Sequence, residues 1–175
     1  MSAGTLQFLD NLLTPELQAA VWDVCQSARW QFGHQSTNPD DPQFWKMELG
    51  GDAAIDALWH AAQPVCEQLA GQPLAVIRQY ANGHTFGLGG QLHTDDARAD
   101  HYTLIYYPML EWRAAWGGET VFYHPSGDLA AAVAPAPNRG VFFDARIVHA
   151  GRAPNRSFGG LRVTIAFKLG PVSTT

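Results

Sequence analysis

A glycine and a proline two residues apart, Gly71 and Pro73, divide this chain into two differently patterned parts. Before them, apolar residues recur at helical spacing; after them, they alternate or form short β-branched runs. That change restricts the fold to helices followed by sheet. Thr14–Pro15–Glu16 is a helix start, with a capping hydroxyl, a proline suited to the first helical position and an acid in the first turn. Leu17, Ala20, Val21, Val24 and Ala28 carry that helix to about Ala28. A second helix is predicted from about Asp52 to Ala70, with Ile55, Leu58, Trp59, Ala62, Val65, Cys66 and Leu69 as its apolar stripe and Gly71 as its stop. Leu6–Leu13 reads as a short strand or extended lead-in. Gln31–Phe44, polar and containing Asn38–Pro39–Asp40–Asp41–Pro42, reads as a loop, either a plain surface loop or a flap over a site.

Beyond Pro73 the expected strands are Leu74–Ala81, His101–Tyr107, Glu119–Tyr123, Val141–Asp144 and Leu161–Leu169. Gly117–Gly118 and Pro125–Ser126–Gly127–Asp128 are turns between them. Asn82–Gly90 carries four glycines. It lacks the Gly-Lys-Ser/Thr ending of a phosphate loop, so it is read as a flexible turn. Two helices followed by short, regularly spaced strands predict an antiparallel barrel or sandwich with helical backing. At 175 residues, one domain spanning 1–175 is expected, with helical support over about 14–71 and a β core over about 74–169.

The formal charge is −5 with no run of Lys or Arg, which argues against a nucleic-acid or anionic-membrane partner. Cys25 and Cys66 fall among apolar neighbours in the two helices, as buried free thiols do, and two cysteines make no disulfide scaffold. The start of the chain lacks a basic segment followed by an apolar run. Leu129–Pro137, the longest apolar stretch, is too short to span a bilayer. A soluble cytoplasmic protein, monomer or homodimer, is the expectation.

Chemistry concentrates in Gln91–Leu92–His93–Thr94–Asp95–Asp96. In an extended backbone the side-chain period is two, so His93 and Asp95 can share a face. An imidazole and a carboxylate side by side supply two legs of a divalent transition-metal site. His149, in Ile147–Val148–His149–Ala150–Gly151, is the natural third leg, and two His with one carboxylate leave the far side of an Fe(II) open. His-x-Asp triplets also arise as ordinary loop and turn residues, and the chain has seven histidines from which to choose. On the last strand, Arg162, Thr164 and Ala166 share a face. A guanidinium with a hydroxyl beside it makes a receptor for a carboxylate; a solvent-facing strand arginine is the alternative.

Taken in order, these pieces resemble the Fe(II)- and 2-oxoglutarate-dependent oxygenases, in their prolyl 4-hydroxylase-like branch. The resemblance runs over about Leu74–Leu169. It rests on Tyr80, His93–Thr94–Asp95, Thr103–Leu104–Ile105–Tyr106–Tyr107, Gly117–Gly118–Glu119–Thr120, Gly140–Val141–Phe142–Phe143, His149–Ala150–Gly151 and Arg162–Val163–Thr164. It implies a double-stranded β-helix, or jelly roll, with helices packed on one sheet. It implies Fe(II) held by His93, Asp95 and His149, and 2-oxoglutarate chelating the iron with its far carboxylate on Arg162. Tyr107, Thr164 and Tyr80 would be hydroxyl partners of the cosubstrate. O₂ would complete the reaction, ascorbate would support it, and succinate and CO₂ would accompany hydroxylation of a small molecule or short peptide. The segment Asn155–Gly160 lengthens the usual spacing from the second histidine to the basic residue, which makes Arg152 and Arg156 rivals of Arg162. Arg78, Asp96, Arg113, Trp116 and Arg146 lie near the motifs and could line a mouth. Trp112 and Trp116 suggest either an aromatic wall or rim packing. A cupin-like metalloenzyme, for which the usual His-x-His pair is missing, and a non-catalytic binding module are the competing readings.

Overall fold

Why the chain folds into two layers is clearest from the helix that backs them. In this computed structural model, which describes residues 5–36 and 39–172, α2 (Ala53–Ala70) buries Ile55, Leu58, Trp59, Ala62 and Cys66 on one stripe. Trp59 stacks on Phe167 with ring centroids 5.9 Å apart. Each Leu or Ile so buried stabilises the fold by about 1.5–3 kcal/mol. Gly71 ends the helix in the left-handed conformation, φ 69°, and its N–H reaches the Glu67 carbonyl at 2.9 Å. Ahead of it, α1 (Pro15–Cys25) is capped by Thr14, whose hydroxyl accepts from the Leu17 N–H at 3.4 Å. It stops three residues short of Ala28: the Trp30 indole donates to the Cys25 carbonyl at 2.9 Å and occupies one of the last free acceptors. Cys25 and Cys66 are buried free thiols, and burial pushes both up to about 12.

The strands are β1 (Leu6–Leu9), β2 (Gln31–His34), β3 (Phe44–Glu48), β4 (Leu74–His84), β5 (Tyr102–Tyr107), β6 (Thr120–Tyr123), β7 (Leu129–Val133), β8 (Arg139–Asp144), β9 (His149–Gly151) and β10 (Arg162–Pro171). Seven of them make one antiparallel sheet in the order β1-β8-β5-β10-β4-β3-β2, and β7-β6-β9 make the other. Antiparallel partners share a face. Arg162, Thr164, Ala166 and Lys168 of β10 therefore stand opposite His84, Asn82, Tyr80 and Arg78 of β4 on the inner face. Thr103 and Ile105 of β5 lie beside Lys168 and Ala166. The second sheet covers that face: Phe122 of β6 meets Phe143 of β8 at 5.0 Å between rings. No helix among the described residues is long and apolar enough to cross a membrane.

Three sequence expectations are corrected. Gln31–Phe44 is not one loop; β2 and β3 bracket it and extend the large sheet past β4. These strands hide from a periodicity reading because β2 is the exposed edge and offers no buried row. Asn82, Gly83 and His84 belong to β4, not to a flexible turn. Gly83 serves packing there, since a Cβ at that position would lie 2.7–2.9 Å from the Leu161 side chain. Leu129–Val133, unassigned from its low complexity, is the edge strand β7.

Candidate metal and carboxylate site

His93, outside the named strands, forms an isolated antiparallel bridge with His149, the first residue of β9, with each N–H on the other's carbonyl at 3.0 and 2.9 Å. The Asp95 N–H is tied to the Ala145 carbonyl at 2.8 Å. The segment after β8 thus holds both halves of the site. The ligating atoms of His93, Asp95 and His149 lie within 4.8 Å of one another. His93 Nε2 is 3.3 Å from Asp95 Oδ1 and His149 Nε2 is 3.6 Å from Asp95 Oδ2. Both Nδ1 atoms face carbonyls, His93 toward Gln91 at 2.9 Å and His149 toward Ile147 at 3.0 Å. Those carbonyls require Nδ1–H and turn the lone pair of each Nε2 toward the shared centre.

Asp95 is further held by the Thr103 hydroxyl at 2.6 Å and by Lys168 Nζ. Burial alone would raise its carboxyl, but Lys168, His93 and His149 outweigh that and leave it well below the usual carboxylate range. Burial brings His149 down to about 4, so it is neutral near pH 7, the form that ligates a metal. For His93, burial is overcome by contacts with Asp95 and the Gln91 carbonyl, and its imidazole is raised.

Farther along β10, Arg162 is fully buried. Its Nε donates to the Gly118 carbonyl at 2.6 Å, one terminal nitrogen donates to Thr164 at 3.1 Å and faces His84 Nδ1 at 3.3 Å, and the other donates to Thr120 at 2.8 Å. Among the described residues none of these partners is a carboxylate. A buried cation without an anion is costly. The surroundings are nevertheless set to receive one. Thr120 also accepts from the Tyr107 hydroxyl at 2.7 Å; with its lone pairs taken, its own hydrogen is left for the cavity. The Thr164 hydrogen is likewise free. Because a guanidinium only donates, His84 Nδ1 must accept, which places the hydrogen of the neutral ring on Nε2. That Nε2 is buried with no partner among the described residues. One guanidinium N–H, two hydroxyls and one imidazole N–H thus remain as donors, enough for both oxygens of a carboxylate.

Thr120, Thr164 and His84 line one cavity with His93 and His149. Tyr80 lines it too, but it pairs with Ala166, four residues along β10 from Arg162, or about 13 Å. Tyr80 therefore stands toward Lys168, and Tyr107 stands behind Thr120. Thr120 and His84 escaped the sequence reading as ligand contacts; His84 is in register with Arg162 across β4 and β10, and Thr120 reaches it from the second sheet, so the signal needs both the strand pairing and the packing of the sheets. Arg152 is exposed, 3.3 Å from the Tyr123 hydroxyl, and Arg156 is exposed. Asp96 pairs with Arg98, Arg146 with Asp144 and Arg113 with Glu111. Trp112 and Trp116 pack around Phe158, and Trp112 lies 3.1 Å from where a Gly118 Cβ would be, beside Arg162. They close the Arg162 end. A larger open groove of about 730 Å³ between α2 and β4 includes none of these donors or ligating atoms.

The sequence pattern of the 2OG-Fe(II) oxygenase superfamily matches residues 76–167, just over half of the chain. The chain belongs to that superfamily. It is therefore an oxygenase that uses Fe(II), 2-oxoglutarate and O₂. No curated protein matches it by sequence. Solved structures share its fold at low identity. A Pseudomonas putida prolyl-4-hydroxylase is 13% identical with TM-score 0.74, covering 96% of this chain and 94% of that one. A Trichoplax adhaerens prolyl hydroxylase, in complex with a hypoxia inducible factor peptide fragment, is 17% identical with TM-score 0.69, covering 94% and 83%. The 2-oxoglutarate-dependent epimerase SnoN from nogalamycin biosynthesis is 14% identical with TM-score 0.72, covering 96% and 77%.

Proposed function

We propose that this oxygenase hydroxylates an unactivated C–H bond of a small molecule or peptidyl substrate, with succinate and CO₂ as coproducts. We further propose that its two sheets form a double-stranded β-helix in a single domain. His93, Asp95 and His149 are the residues to hold Fe(II). Arg162, with Thr120, Thr164 and His84, is the group to hold the distal carboxylate of 2-oxoglutarate, and Tyr107 orients Thr120. The observation that carries this reading is a fully buried arginine, lacking any carboxylate partner among the described residues, whose partners Thr120, Thr164 and His84 line one cavity with His93 and His149 of the His/Asp/His cluster.

When bound, the iron and the keto acid supply the activation of O₂. The chain's own residues orient and shield. The Gln91 and Ile147 carbonyls fix the two imidazoles, and Thr103 and Lys168 fix Asp95. Arg162 offers a charge-assisted anchor at the closed end, where Trp112 and Phe158 keep water out. An anchor of this kind beside a His/Asp/His cluster favours the oxygenase over a cupin-like enzyme or a simple binding module. The likeness to prolyl hydroxylases supports a peptidyl substrate as one option, and that to SnoN supports a small molecule.

The test is succinate formation from 2-oxoglutarate by protein supplied with Fe(II), O₂ and ascorbate, including slow turnover without substrate. Succinate that depends on His93 and Asp95 is the expected result. No 2-oxoglutarate binding and no succinate would overturn the reading.

A further inference from the structure

Resting on that reading of the site, we propose that the substrate carries a free oxyanion, a carboxylate or a phosphate, seated against Lys46, Arg78 and Lys168. These three cations surround one aromatic ring. Arg78 Cζ lies 4.8 Å, Lys46 Nζ 5.4 Å and Lys168 Nζ 5.8 Å from the centroid of Tyr80. They come from three strands, and the pairing puts them together: Arg78 opposite Lys168 across β4 and β10, Lys46 opposite Asn82 across β3 and β4. Lys168 and Tyr80 line the cavity of the site, and Lys46 and Arg78 extend the positive charge past the Tyr80 ring, Arg78 on to the groove between α2 and β4.

The counter-charge is too small for these cations. Among the described residues Lys46 and Arg78 both pair with Glu48, whose side chain is 64% exposed. Among the described residues the carboxylate paired with Lys168 is Asp95, already engaged by Thr103 and facing both histidines. A divalent metal at Asp95 adds further positive charge. The distal carboxylate of the cosubstrate does not neutralise these cations, since it belongs at Arg162, about 13 Å from Tyr80's register along β10, and the carboxylate of its keto acid end would be taken up by the metal. The chain as a whole is acidic, −5, so the cluster is not a by-product of a basic surface. Burial together with Lys46 and Arg78 lowers the neighbouring His34 imidazole, as a positive field would. Ammonium and guanidinium groups donate and cannot accept, so the matching partner is an acceptor-only, negatively charged group. The backbone of an internal peptide residue lacks such a group, and so does every internal side chain but an acidic one. A small acid, a phosphorylated small molecule or a chain's terminal carboxylate has one.

The experiment uses the full chain with Mn(II) in place of Fe(II) and saturating 2-oxoglutarate, whose own binding is measured in the same samples. Inorganic phosphate and acetate are the two probes, read by paramagnetic relaxation of their nuclei. Saturable relaxation of at least one probe is expected, and which probe responds tells phosphate from carboxylate. In the double variant Lys46→Gln/Arg78→Gln, probe affinity should fall about tenfold or more while 2-oxoglutarate still binds. Arg113→Gln/Arg156→Gln, which removes the same net charge elsewhere, should leave probe affinity in place. Absence of saturable relaxation with 2-oxoglutarate bound overturns the proposal, as does unchanged affinity in the Lys46/Arg78 variant or an equal loss in the Arg113/Arg156 control. Failure of 2-oxoglutarate itself to bind overturns the reading of the site and this proposal with it.

Discussion

Arg162 and the residues around it decide most of the chemistry that single side chains can carry. Replacing Arg162 by Gln keeps a polar group but removes the charge, and each lost charge-assisted hydrogen bond is worth about 1.5–3 kcal/mol. The expected outcome is at least a tenfold weaker 2-oxoglutarate affinity with metal binding retained, measured by titration with Mn(II) present. Thr120→Val keeps the shape and removes the hydroxyl that Tyr107 and Arg162 orient. It should cost roughly 0.5–1.5 kcal/mol of cosubstrate binding, a several-fold effect in the same assay. Gly151 tests the same pocket from the other side. A Cβ there would lie 2.9 Å from His84 Cε1 and 3.3 Å from an Arg162 nitrogen. Gly151→Ala should therefore weaken 2-oxoglutarate more than it weakens metal binding, although His149 is only two residues away.

At the level of elements, α2 and β4 hold the cup in register. The left-handed Gly71 is the hinge between them, and Gly71→Ala should destabilise the protein by about 1 kcal/mol, read as a lower denaturant midpoint with an unchanged slope. Much of this level was legible in the residues. Capping at Thr14, the stripe on α2, the stop at Gly71 and the alternation in β5 are local signals, and each element lies where its pattern points. The edge strands β2 and β7 were not legible, because a strand with little buried surface shows no apolar–polar alternation to read. Nor was Gly83 legible: a glycine fitted under Leu161 looks in sequence like a glycine in a turn.

For the molecule as a whole, proton and ligand linkage should be visible in stability. Burial, aided by the Arg162 charge, holds His84 well below its ordinary value of 6.5, and burial takes His149 from 6.5 to about 4. In the unfolded chain both take up a proton near 6.5, so between there and about 4 the unfolded state binds more protons. Stability of the metal-free protein should fall as pH drops through that window. His93, with a raised imidazole, acts in the opposite sense, its contribution being lost as pH rises; one such group does not cancel two. Thermal midpoints in scans from about pH 7 to about pH 4.5 should decline by several degrees, and His84→Asn should flatten part of the slope. Ligand linkage gives a second outcome. With Mn(II) present, 2-oxoglutarate at a hundred times its Kd should stabilise the fold by about 2.7 kcal/mol. Without metal, the shift in thermal midpoint should be much smaller.

By itself the sequence determined what short-range physics can encode: two capped amphipathic helices, a sheet after Pro73, and the His-x-Asp spacing that sets two metal-capable side chains on one face. Only the tertiary structure decided which distant residues meet. Strand order brought His149 back to His93, register put His84 beside Arg162, the packing of the second sheet put Thr120 there, and three lysine and arginine side chains from three strands gathered about Tyr80. Pairing register is a property of the whole sheet, chosen by the burial of many faces at once, so no window of the chain contains it.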